Sequence, residues 1–162
     1  MTGQRFLQLI FVYIILSLLL VGLSGCRDAV GDDWHQYQRA SNPIIPEEQA
    51  AVAALNGIDQ KRPPLAKILQ VLKEEVAPRY KRVIETLNRL HPRTEPVRQY
   101  HLAYRKFADK FSSCVDLWIH AIEQRDDSKL SVMDKMMKDG MADLQKAGEL
   151  KKMLNDKYGF AS

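Results

Sequence analysis

Four methionines, Met133, Met136, Met137 and Met141, fall within three turns of one predicted helix, and thioethers are soft ligands suited to Cu(I). Met133, Met137 and Met141 also hold the spacing of a core stripe, where methionine fills irregular gaps. No histidine shares that helix, so the expected role is packing. His35, His91, His101 and His120 form no His-x-x-x-His pair and no recognised zinc spacing. No metal site is expected from them. Nucleophilic chemistry fares no better, since no Gly-x-Ser-x-Gly is present and Ser112-Ser113-Cys114 lies in mid-helix, where no strained elbow exposes a nucleophile. The pairs Glu74-Glu75 and Asp126-Asp127 are adjacent in sequence, and helix neighbours point in different directions, so neither makes an acid/base couple. With no glycine-rich phosphate cradle either, neither an enzyme nor a cofactor is expected.

Charge is the one feature that leans toward interaction. Residues 79–106 hold eight cations, including Arg79, Arg82, Arg89, Arg93, Arg98 and Arg105, against Glu85 and Glu95 alone. The stretch straddles a turn at His91–Pro96, so several charges should gather at one end of the fold and attract an anionic surface. These six arginines are the candidate interaction patch. The formal net charge of the whole chain, +4, is too mild to argue for nucleic acid.

The elements that would position these groups begin after an N-terminal segment of a different kind. Met1 to Arg5 is a short polar start with one cation, Phe6 to Val21 is apolar apart from Gln8, Tyr13 and Ser17, and Gly22 to Cys26 is rich in small residues. Those are the three zones of a secretory signal. The apolar run is at the short end for a spanning helix, which needs about 20 residues.

Leu23-Ser24-Gly25-Cys26 resembles the lipobox of bacterial lipoproteins. The resemblance implies that signal peptidase II removes residues 1–25 and that the Cys26 thiol carries a diacylglyceryl group. Two or three acyl chains there would make the tether effectively permanent, whereas one alone holds only marginally. Arg27 stands where enterobacterial lipoproteins retained at the inner membrane carry aspartate. A periplasm-facing envelope location is therefore implied, with the outer membrane favoured if the organism has one. With Cys26 committed to lipid, Cys114 has no internal disulfide partner and reads as a buried thiol on an apolar helix face.

Residues 26–45 read as a tether, with Gly31, Asp32, Asp33, Ser41, Asn42 and Pro43 and no sustained periodicity. Trp34 and Tyr37 are unusual for a spacer and could pack on the domain or rest at the lipid interface. Residues 46–162 read as the folded domain. A short helix runs from Pro46 to a stop at Gly57. A second runs from about Pro64 to Leu90, with Leu65, Ile68, Leu69, Leu72, Val76, Tyr80, Val83, Ile84, Leu87 and Leu90 as its apolar stripe, kinked or split at Pro78. A third, opened by Thr94-Glu95-Pro96, carries Val97, Tyr100, Tyr104, Phe107, Phe111, Cys114, Val115, Trp118 and Ile122 at three- and four-residue steps. A fourth opens at Asp126-Asp127-Ser128 and buries Leu130, Met133, Met137, Met141, Leu144, Leu150, Met153 and Leu154. The expected fold is all-α, an antiparallel bundle of three long amphipathic helices plus the short one. The stretch His91 to Phe160 is similar to helical bacterial lipoproteins of unknown function, a likeness of helix lengths and caps that carries no activity.

Together these features predict a membrane-anchored, non-catalytic interaction module of the cell envelope, with the membrane and an envelope protein as partners. The alternative is a ligand- or metal-binding lipoprotein whose bundle core, around Phe107, Phe111, Trp118 and the methionines, holds a small apolar molecule or a metal.

Overall fold

The computed structural model describes residues 28–61 and 63–159, and every regular element among them is helical. The all-α class expected from periodicity is what the chain adopts. Leu23, Ser24, Gly25 and Cys26, which resemble a lipobox, lie outside the described residues, as does Phe160.

The first helix, α1 (Ala29–Ser41), occupies the stretch expected to be a tether. Asp28 caps it by accepting from the Val30 N–H at 3.2 Å. Gly31, Trp34 and Tyr37 recur on one face and are buried, with Trp34 only 1% exposed. The Trp34 indole N–H donates to Asn155 Oδ1 at 3.0 Å, and Gly31 lets the Tyr158 ring close on the helix backbone. Residues 29–41 are thus part of the domain, and a folded boundary at 46 is incorrect. The physical reason is that two aromatic side chains bury large areas against residues far along the chain, which outweighs the weak local signal.

Helix α2 (Ile44–Lys61) begins before Pro46 and runs past Gly57. Pro46 is its third residue, where a missing N–H costs no intrahelical bond. Gly57 has open space around it, so the helix continues through at its intrinsic cost rather than stopping.

Helices α3 (Leu65–Val71) and α4 (Ala77–Arg89) are joined by one π turn, Leu72–Val76. Pro78 has no N–H to give and its ring crowds the preceding turn. The chain answers by widening that turn, with the Ala77 N–H reaching the Leu72 carbonyl. Leu72, Val76, Tyr80, Val83 and Leu87 form the buried stripe that the sequence predicts, whereas Leu65 is 65% exposed and lies outside it. The helix stops before His91-Pro92, as expected of residues preceding a proline.

Helix α5 (Glu95–Gln124) is the axis of the fold, and three buried clusters lie along it. Arg125 closes it in the left-handed region (φ 52°), returning its N–H to the Ala121 carbonyl. Asp126 then accepts from the Ser128 N–H (3.0 Å) and hydroxyl (2.6 Å), turning the chain into α6 (Ser128–Tyr158).

Helix α6 runs antiparallel to α5, as the Lys110–Asp143 ion pair (2.6 Å) and the Cys114 Sγ contact with the Met133 carbonyl (3.6 Å) establish. Its fully buried residues are Gly140, Ala147 and Leu154, seven apart. The expected methionine stripe is therefore displaced. Met141 is 52% exposed and Met153 48%, while Met133, Met136 and Met137 are half-buried. Small side chains at the seam bring α6 close to α5, with Gly140 against Lys110 and Phe107, and this rotates the larger methionines outward.

Candidate functional site

Five of the six arginines of the candidate patch are paired with acids among the described residues. Arg79 and Arg82 on α4 both reach Glu47 on α2, at 3.1 Å and 2.8 Å. The bonds from Arg82 and then Arg79 hold the Glu47 carboxyl below its usual range. Arg98 pairs with Glu95 at 2.8 Å and donates from Nη1 to the Arg93 carbonyl at 2.6 Å. Arg105 lies 3.7 Å from Asp109. Only Arg89 has no ion pair with the described residues, and it lines a cavity of about 320 Å³ with Gln36, His91 and Arg93. Acids from α1 and α2 thus offset cations that stand nearly alone in the linear count.

Arg93 sits at a polar knot that no local signal reveals. Asp33 of α1, 3% exposed, accepts from the Arg93 N–H (3.1 and 3.0 Å), the Thr94 N–H (2.8 Å) and the Thr94 hydroxyl (2.7 Å). Burial pushes the carboxyl up, but the bonds from Thr94 and Arg93 outweigh it and leave it lowered. Thr94, at the N-cap of α5, gives its hydroxyl to Asp33 and not to the helix's own N–H groups. Nearby, the Tyr37 hydroxyl and His101 Nδ1 are 3.1 Å apart in the interior. Burial, then Arg105 and His91, hold the His101 imidazole below its ordinary range, which favours the neutral ring.

The arrangement with most chemical potential is a cleft of about 360 Å³ between α1, α2, α5 and α6. Its wall is aromatic: Trp34 meets Tyr100 edge-on at 5.1 Å, Tyr37 meets Tyr100 edge-on at 5.5 Å, and Tyr100 stacks on Tyr104 at 6.0 Å. Burial is the main cause that raises the Tyr100 phenol, to about 12, and it raises Tyr37 and Tyr104 beyond that. The acid in the cleft is Glu48, half-buried, whose carboxyl is raised by burial despite the hydrogen bond from the Tyr104 hydroxyl and the field of Lys151. Clefts holding perturbed titratable groups are the usual places for ligand chemistry. Neither Glu48 nor Lys151 stands out in the sequence. The legible signal was the pair of aromatics, Trp34 and Tyr37, in a supposed spacer.

The core region first considered for a ligand is occupied by rings. Phe111 stacks on Tyr80 at 4.1 Å, and Phe107 lies 5.9 Å from Phe111. Trp118 instead borders a separate shallow hollow with Leu55, Ile58 and Ile68. Among the described residues no three His, Cys, Asp or Glu converge as a metal would require.

Cys114 is buried (2% exposed), and burial pushes its thiol up. Since the thiolate is the reactive form, a thiol reagent is expected to label Cys114 at least tenfold faster in denaturant than in the native protein. Equal rates would show that the thiol is accessible. No helix of the described residues is long and apolar enough to cross a membrane. Comparison with family models, with curated proteins and with solved structures finds no match to this chain, so its reading rests on its own residues.

Proposed function

We propose that this chain is a non-catalytic helical lipoprotein of the bacterial envelope, anchored through lipid on Cys26 and acting by contact with an envelope protein. Signal peptidase II would remove residues 1–25, leaving a periplasm-facing domain, with the outer membrane the favoured site where one exists. The observation that carries the reading is Leu23-Ser24-Gly25-Cys26 followed almost at once by the α1 cap, Asp28. Two residues of chain span at most about 7 Å. The α1 start, the Asp33–Thr94 knot and the α6 end at Tyr158 would then lie close to the bilayer. The α5–α6 hairpin would project its tip about 45 Å away, given 1.5 Å per residue over α5. Along that arm Val132 and Met141 are exposed beside half-buried Met133, Met136 and Met137, apolar surface suited to a protein partner.

Crosslinking in living cells, followed by pull-down of the natively lipidated protein, tests both parts. Cys26→Ala is expected to abolish lipid labelling and release the chain from the membrane fraction, and continued labelling would sink the anchor. The charge contribution is best read from Arg89→Glu with Lys106→Glu, two exposed cations of the 79–106 stretch that make no ion pair among the described residues. Arg93 and Arg98 already bond Asp33 and Glu95, so reversing them would disturb the fold as well. A partner lost on charge reversal supports the basic face, and a partner retained places the contact elsewhere, the hairpin arm first. No reproducible partner overturns the interaction reading.

A further inference from the structure

We propose that the cleft bounded by Trp34, Tyr37, Glu48, Tyr104 and Gly148 is a binding site for a small organic ammonium ion, with Glu48 as its counter-ion and the tyrosine rings as its wall. Three observations converge on it. The cavity, about 360 Å³, falls in the size range of small-molecule sites. It is walled by electron-rich rings, which attract cations over their faces. It also holds a half-buried carboxyl, Glu48, that forms no ion pair within 4 Å among the described residues. Lys151 also lines the cleft and lowers Glu48 through its field, but it makes no ion pair with Glu48 within 4 Å, which leaves the carboxylate open to a ligand cation.

Gly148 supplies an independent argument. A glycine inside a 31-residue helix weakens it relative to alanine and is usually explained by packing. Here nothing lies within 4 Å of where its Cβ would stand, so no neighbour demands the glycine. It lines the cleft beside Ala147, and a larger side chain there would project into the space the ligand needs. The small residues of α6 thus keep the cleft open on the side facing the rings. The site belongs to the folded domain, and it stands or falls separately from the lipid anchor.

The test uses the full lipidated chain in non-ionic detergent, titrated with n-butylamine, 1-butanol and butyrate, three probes of matched length that differ in head group. The readout is the NMR signal of the indole N–H groups. The chain has two tryptophans, so Trp34 reports on the cleft and Trp118, which borders a different hollow, is the internal control. The expected result is a saturable shift of Trp34 alone, with butylamine binding at least tenfold more tightly than butanol and butyrate giving none. Glu48→Gln should weaken butylamine tenfold or more and remove its advantage over butanol. Gly148→Leu should abolish the shift while leaving the thermal midpoint unchanged or raised, which separates loss of binding from loss of folding. The proposal is overturned if butyrate binds as well as butylamine, if Glu48→Gln leaves the affinity unchanged, or if no saturable shift occurs.

Discussion

A chain that begins at Pro46 is expected to lose cooperative unfolding altogether. Such a chain removes α1, and with it Trp34 and Tyr37, from their seats against Val97, Tyr100, Ala147 and Leu154. Ile44, packed with Val83, Leu87 and Ala108, goes too. The exposed surface left behind would join the start of α5 to the end of α6, and aggregation is the expected fate. The single substitution Trp34→Ala isolates the effect. Loss of a buried large aromatic costs about 3–5 kcal/mol, and this one also leaves Asn155 without the indole donor. Against a total stability of about 5–15 kcal/mol for a domain, that is a large fraction. Urea melts followed by circular dichroism give the answer. Arg39→Ala, exposed on the same helix, should stay within about 0.5 kcal/mol of the parent. If Trp34→Ala matched Arg39→Ala, α1 would be a spacer after all.

Asp33→Ala is the second large effect, expected to cost about 3–5 kcal/mol. The carboxylate is the shared acceptor for two backbone N–H groups and a hydroxyl at the α4–α5 turn, and its removal leaves these donors unsatisfied, whereas the exposed Arg93 guanidinium keeps its bond to Gln36. Asp33→Asn keeps one oxygen and should lose less. The pH dependence has a definite sign. The folded carboxyl is held below its ordinary value, so its contribution is complete above the unfolded value of about 3.9 and is lost as pH falls through the folded one. Glu48 works the other way. Its folded value is raised, so the ionised group costs stability above that value, and the cost disappears once pH is below the unfolded value. Acid titration of stability should therefore be shallower in Asp33→Asn and steeper in Glu48→Gln than in the parent. A parent-like acid slope in Asp33→Asn would contradict the assigned role.

The amino-acid sequence by itself determined the all-helical class, the stripe from Leu72 to Leu87, the long aromatic helix α5 and the turn at Asp126–Ser128. It also located the disturbance at Pro78, realised as the π turn before it. These features depend on residues within a turn or two of one another, where helical periodicity and the chemistry of proline and short polar side chains act directly. The resemblance of Leu23-Ser24-Gly25-Cys26 to a lipobox is read in the same way, from a short contiguous pattern. Only the tertiary structure decided that residues 29–41 are a helix. Asp33 finds its donors 60 and 61 residues on, and Trp34 finds Asn155 121 residues on. It likewise decided the electrostatics of the arginines, because Glu47 and Asp33 come from other helices. The seam of α6 followed the close approach that Gly140 and Ala147 allow, not the more apolar methionines beside them. The cleft around Glu48 exists because four helices meet there. Pairings of that range leave no periodic trace along the chain.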